Sequence, residues 1–249
     1  MENILFMDLD DTFIYTAYHY KAADAHELQY FVDFFRGDIS GLEEILKKEE
    51  ELDKENVKKF GFTMPRFPTS WVQTFKYFCD KNGRKYSKKN LIEVESLAKI
   101  AFQIENDIKP NTAEVLDFLL EQKDELILYT RGDYEHQIAK VKANDLDKWF
   151  SEDRIVVVPN KTPEFIRKLV GNRKKDKVYG IGDSYTSDIV PAIEAGIKAI
   201  YIPADTWAYE NHNNSLEEAK KSKKVIVLKD IIELKTRYDE IFKNNLKDN

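Results

Sequence analysis

With 249 residues the chain has the length of one large domain or two smaller ones, and 42 % apolar residues supply a core. Its formal net charge of −6, from 39 basic and 45 acidic side chains, gives no electrostatic reason to bind nucleic acid or an anionic membrane surface. The single cysteine, Cys79, excludes an intramolecular disulfide and fits a reducing, cytoplasmic setting, and no uninterrupted apolar stretch reaches the length of a bilayer span. An apolar run at Ile4 to Met7 predicts a first strand close behind Met1, so no signal peptide is expected. Residues 17–107 then show helical periodicity without a convincing strand. Leu28, Phe31, Val32 and Phe35 have helical spacing. Ser40-Gly41-Leu42-Glu43 resembles a capping box opening a charged helix toward Phe60. Met64 to Pro68 reads as a break, followed by helices over about 70–82 and 89–103. Cys79, in step with Trp71, Phe75 and Phe78, reads as buried filler.

From Pro110 onward helix and strand alternate. Asn111 and Glu114 are expected to cap a helix through Glu121. Strands are predicted at 126–130, 154–158, 178–181, 199–202 and 224–228. Helices are predicted at 134–143, 163–170, 187–195 and 231–242, and Lys220 to Lys224 reads as solvated surface. This pattern predicts an α/β fold, a Rossmann-like parallel sheet with helices on both faces. The first strand must join that sheet, so the helical block is an insertion. The expected division is an α/β core domain of residues 1–16 and 108–249 and an all-helical cap domain of residues 17–107.

Two acidic clusters end apolar runs. Ile4 to Met7 leads into Asp8-Leu9-Asp10-Asp11-Thr12, and Val178 to Ile181 leads into Gly182-Asp183 with Asp188 beyond. Parallel strands of this kind deliver such residues to the C-terminal edge of the sheet, where open α/β sheets bind ligands. Aspartates gathered there repel one another unless a cation sits among them, and all-oxygen ligation suits Mg²⁺. Asp11 alone is an ordinary turn residue. His26, His136 and His212 lack metal-like spacing and are expected at the surface. Tyr15, Tyr18, His19 and Tyr20 either face substrate or pack the joint of the insertion.

These clusters, with Thr130 closing a hydrophobic strand and Lys161 in Asn160-Lys161-Thr162-Pro163, resemble in order the four short motifs of the haloacid dehalogenase-like hydrolase superfamily. The resemblance covers the α/β part; the insertion is similar to the helical caps of that family in position and type only. It implies Asp8 as nucleophile, forming an aspartyl-phosphate, and Asp10 as general acid and base. It further implies Mg²⁺ held by Asp8, Asp183 and the main-chain carbonyl of Asp10, with Thr12 and Asp188 supporting the site from just outside the metal's own ligands. Thr130 would donate to a phosphate oxygen, helped by the amides of Arg131 and Gly132, and Lys161 would place positive charge beside the nucleophile. The Arg131 side chain either contacts substrate or forms a surface ion pair. The segment Asp205 to Glu210, with Trp207, is expected to be a loop near the strand ends. The implied function is a Mg²⁺-dependent phosphatase acting on a small phosphorylated metabolite under a helical lid. The rivals are a phosphomutase, a carbon–halogen hydrolase, which would not need the acid at position 10, and a non-catalytic binding protein.

Overall fold

The computed structural model describes residues 3–39, 41–204 and 215–243. It divides into two units, Met1–Tyr15 with Glu105–Asn249, and Thr16–Ile104. The division falls beyond Tyr15 because the chain on either side of the insertion is tied into the first unit. Tyr15 N–H donates to Asp107 C=O at 2.9 Å, Ile14 bridges Ile108, and Asn144 holds the Asp107 amide and the Glu105 carbonyl.

Among the described residues, six parallel strands form the sheet of this unit: β1 (Ile4–Met7), β2 (Glu125–Arg131), β3 (Ile155–Val158), β4 (Val178–Gly182), β5 (Lys198–Tyr201) and β6 (Val225–Val227). Their order is β3-β2-β1-β4-β5-β6, so the chain changes direction across the sheet between β1 and β4. Alternation along the strands builds two cores. Leu5 and Met7 pack with Val115 and Leu116 of a helix at Thr112–Glu121 and with Val141 of a helix at Tyr134–Ala143. Phe6, pointing the other way, packs with Ile166 and Val170 of the helix Pro163–Val170 and Ala192 of the helix Val190–Ala195. The expected Rossmann-like sheet with helices on both faces is present.

Several local expectations are corrected. Asn111 precedes its helix in the left-handed region (φ 67°) and its side chain makes no capping bond; it supplies a turn conformation that asparagine tolerates. The stretch expected as a helix from 187 opens instead with a π-type turn, Tyr185–Ile189, in which Ser184 Oγ accepts from Ser187 N–H at 3.0 Å. The expected C-terminal helix is broken into Glu233–Thr236 and a π-type turn at Asp239–Lys243. A short helix at Ser215–Lys221 is added to the expected elements, and Lys220, Lys221, Lys223 and Lys224 are exposed, as expected. Trp207 with its segment and His212 lie outside the described residues.

Among the described residues the second unit has four helices, Ala17–Phe35, Leu42–Phe60, Arg66–Lys81 and Lys88–Ala98, with a 3₁₀ turn at Lys99–Phe102. Ser40 lies outside the described residues, and the second helix starts behind Gly41. The third helix begins before the expected 70, despite Pro68. A proline in the first turn lacks only an N–H that has no intrahelical acceptor there. The buried stripe of the first helix is His19, Ala23, Glu27, Phe31 and Phe35, while Val32 is exposed. Phe31 meets Phe75 and Trp71 edge-on at 5.5 and 5.7 Å. Tyr20 packs on Phe67 at 5.0 Å. Cys79 is buried as expected, and burial pushes its thiol up to about 11, which keeps it protonated and inert.

Charged residues share this helical core. Asp53 pairs with Arg66 and accepts from Ser70 Oγ at 2.7 Å. Glu27 is fully buried, and neither carboxylate oxygen makes a well-formed hydrogen bond. Burial pushes its carboxyl up to about 9; the Ala98 main chain opposes this, and Asp24 and Glu93 add to it. The folded unit therefore keeps a proton that the unfolded chain releases above pH 4.5, and stability falls as pH rises between those values. Glu27→Gln mimics the protonated acid. It is expected to flatten the fall by about 1.4 kcal/mol per pH unit, measured by urea unfolding at pH 5, 7 and 8.5. An unaltered pH dependence would show that Glu27 is not held protonated.

Candidate active site

The change of direction between β1 and β4 places Asp8 and Asp183 side by side. Asp8 follows β1, and its N–H donates to Ile181 C=O of β4 at 2.9 Å, extending the ladder one residue beyond the strand. Asp183 follows β4 directly. Asp188 returns from the π-type turn, where its Oδ2 accepts from Ser184 N–H at 3.0 Å. One carboxylate oxygen from each of Asp8, Asp183 and Asp188 lies within 4.8 Å of the others, and all three residues are buried. Gly182 makes this approach possible, since a Cβ there would collide with the Asp188 carboxylate.

Lys161 is the positive charge among them. It reaches in from the loop before the helix Pro163–Val170, whose start is fixed by Thr162 Oγ1 accepting from Phe165 N–H. Its Nζ donates to Asp8 Oδ1 and, at 2.6 Å, to Asp188 Oδ1. Burial alone would lower its pKa, but Asp188 and Asp8 outweigh that and hold the ammonium charged. Burial also pushes the Asp8 carboxyl up to about 7; Lys161 works against this, while Asp188 and Asp10 add to it. Three carboxylates thus face one buried ammonium, a negative excess that suits a divalent cation bound through oxygen. Thr12 Oγ1 donates to Asp8 Oδ2 at 3.3 Å.

Asp10 behaves differently from Asp8. Its carboxylate does not join the cluster that the sequence suggests for all four aspartates. It turns to the helix Tyr134–Ala143, where Lys140 Nζ donates to Oδ1 at 2.8 Å and Gln137 Nε2 to Oδ2 at 2.9 Å. Gln137 is buried, and Nε2 also lies 2.6 Å from Thr130 Oγ1 and 2.9 Å from Arg131 C=O. Thr130 accepts in this contact, which leaves its own hydroxyl hydrogen for another acceptor. Gln137 and Lys140 escaped the sequence reading. Their only signal was the i, i+3 spacing on the helix that follows Thr130.

Other expectations are redirected. The Gly132 amide donates to Val158 C=O at 3.0 Å and is engaged in the sheet, so it is not free for a phosphate. The Arg131 guanidinium donates to Ser187 Oγ at 2.6 Å. Asp11 sits in the left-handed region (φ 57°), a turn residue as expected. His26 is exposed, but His136 is half-buried, and burial, aided by Lys140, lowers it to about 4.

No protein-family model matches the chain, and no curated protein matches it by sequence. Its structure is similar to that of a haloacid dehalogenase-like family hydrolase from Xanthomonas campestris, with a TM-score of 0.74 and 18 % identity over 96 % of this chain and 95 % of that one. A Bacillus subtilis protein assigned as a HAD-hydrolase and bound to magnesium gives a TM-score of 0.57 at 17 % identity, covering 95 % and 98 %. L-2-haloacid dehalogenase from Xanthobacter autotrophicus gives 0.54 at 12 % identity, covering 97 % and 100 %. The chain therefore has the fold of the haloacid dehalogenase-like hydrolases, and the choice of chemistry falls to its side chains.

Proposed function

We propose that this chain, with the fold of the haloacid dehalogenase-like hydrolases, is a Mg²⁺-dependent phosphatase that cleaves a small phosphorylated metabolite through an aspartyl-phosphate. The observation that carries the reading is the different setting of two aspartates on one loop. Asp8 is buried in the carboxylate cluster beside Lys161, whereas Asp10 is partly exposed and held by Lys140 and Gln137. Two carboxyl groups in unlike surroundings suit two roles, nucleophile and acid–base. A carbon–halogen hydrolase has no need of the second.

In this mechanism an Asp8 oxygen attacks phosphorus as Asp10 protonates the departing oxygen. Asp10 then takes a proton from water, which attacks the aspartyl-phosphate and releases inorganic phosphate. The Lys161 ammonium offsets negative charge beside the nucleophile, and the Thr130 hydroxyl donates to a phosphate oxygen. Asp8 and Asp183, with the Asp10 carbonyl and with Asp188 close by, would hold the metal. Bound there, Mg²⁺ supplies the positive charge that keeps Asp8 ionised and neutralises phosphate oxygens. Selection among metabolites is assigned to the helical unit, on the ground that it is inserted directly after Asp8 and Asp10 in the chain.

The test is a panel of phosphorylated metabolites and an aryl phosphate assayed for phosphate release. Release is expected with Mg²⁺, not in a chelator, and is expected to be inhibited by excess Ca²⁺, which takes more ligands at longer distances. Full activity in the chelator would overturn the metal assignment, and no release from any compound would overturn the phosphatase. Within the same assay, Asp10→Asn is expected to slow turnover by roughly 10²–10⁴. The loss should shrink for aryl phosphates, whose leaving groups need less protonation; equal loss across leaving groups would contradict acid catalysis by Asp10.

A further inference from the structure

At the opposite edge of the sheet from Asp8, the α/β unit holds a cavity of about 530 Å³. Its lining comes from the beginnings of four adjacent strands: Ile4 of β1, Glu125 and Leu126 of β2, Arg154 just before β3, and Arg173, Lys174 and Lys177 before β4. The run from Ile4 to Asp8 alone separates this edge from the carboxylate cluster by roughly 13 Å.

The cavity inverts the sign of the chain. Five basic side chains, Lys123, Arg154, Arg173, Lys174 and Lys177, line it against Asp124 and Glu125, a formal excess of three positive charges in a protein of net charge −6. Asp124 is buried and committed inward, accepting from Asn3 N–H and Nδ2 at 2.9 Å and from Tyr238 OH at 2.8 Å. Glu125 Oε1 accepts from Arg154 and, at 3.0 Å, from Arg173. One carboxylate oxygen thus holds two guanidinium groups together. Arg173 is fixed further by donating to Leu169 C=O at 2.7 Å. These pairs are partly solvated, so they contribute little to stability, and stability does not account for the arrangement. Two positioned guanidinium groups match the oxygens of a phosphate. Lys123 and Lys174, both exposed, add mobile charge. Ile4, Leu126 and Trp149 supply an apolar wall. The Trp149 ring is anchored by its Nε1 donating to Asp117 Oδ1 at 2.7 Å. The volume falls within the range of about 300–1,000 Å³ typical of small-molecule sites.

We propose that this cavity is a second binding site, for a phosphorylated small molecule with an apolar or aromatic body. The phosphates lie on the Arg154–Arg173 pair and the body lies against Trp149. The site is independent of the catalytic reading and does not compete with a phosphate at Asp8.

The test is calorimetric titration with ATP, pyrophosphate and adenosine in the presence of a chelator, on the full chain. Four proteins are compared, each at a temperature below its own melting transition: wild type, Lys161→Ala, Arg154→Ser with Arg173→Ser, and Lys123→Glu with Lys174→Glu. The last pair is exposed and leaves the Glu125 contacts intact, so it reports even where the arginine variant fails to fold. ATP is expected to bind wild type and Lys161→Ala alike, and at least about tenfold more weakly to both charge variants. Pyrophosphate and adenosine are each expected to bind more weakly than ATP. Binding lost in Lys161→Ala but kept in the charge variants would place it at the catalytic carboxylates and overturn the proposal. So would the lack of saturable ATP binding up to about 5 mM. Pyrophosphate binding as tightly as ATP would overturn the apolar half of the site.

Discussion

Replacing Asp8 with asparagine is expected to reduce Mg²⁺-dependent phosphate release by at least about 10⁴-fold, because the amide offers no nucleophilic carboxylate to form the covalent intermediate. The variant is not expected to unfold. Asparagine keeps the size of Asp8; its carbonyl oxygen at the Oδ1 position still accepts from Lys161, and its amide at the Oδ2 position can donate to the Thr12 hydroxyl. Stability in a chelator should stay level or rise, since Asp8 is one of three buried carboxylates gathered at one point and its negative charge has been removed. The pair of measurements separates the two things Asp8 does. Lost turnover with retained or raised melting temperature marks a nucleophile in an electrostatically crowded site. Turnover near the normal rate would show that another group attacks phosphorus.

The residues nearest this chemistry were legible because each ends an apolar run. Asp8, Thr130 and Asp183 lie just beyond or at the ends of β1, β2 and β4, and hydrophobic periodicity finds such strands without help. What the sequence hides is the use of polar residues on helices. Gln137 and Lys140 look like members of a solvated face, and only the tertiary fold turns that face toward Asp10. Glu27 was hidden for a similar reason. It stands in step with Ala23, Phe31 and Phe35 on the buried stripe, but a charged residue is discounted when an apolar face is sought. Gly182 carried a signal that could have been read: a glycine just before the acidic loop marks a close approach, here by the Asp188 carboxylate. The π-type turn after Ser184 had no such mark, because serine, threonine and aspartate fit the first turn of an ordinary helix equally well.

Lys161 offers the sharpest test of how the site is held together. It is the one side chain hydrogen-bonded to both Asp8 and Asp188 among the described contacts, and it is almost completely buried. Lys161→Met keeps most of the side-chain volume and removes the charge. Asp8 and Asp188 would then lose the buried ammonium to which both are bonded. Breaking a buried ion pair from one side typically costs about 3–5 kcal/mol. For a chain of this length that corresponds to a melting temperature lower by roughly 6–20 °C, measured in a chelator. Adding Mg²⁺ should return part of the loss, since a ligand bound only by the folded state stabilises it by mass action. Activity should not return with stability. The charge that Lys161 would present beside the phosphate is gone, and loss of one such electrostatic contact costs roughly 10²–10³ in rate. Lys161→Arg is not expected to rescue either property, because the planar guanidinium cannot occupy the point between Asp8 and Asp188 that a compact ammonium fills. If Lys161→Met melted in the chelator at the wild-type temperature, the carboxylates would not depend on Lys161 for compensation, and its role would be confined to substrate.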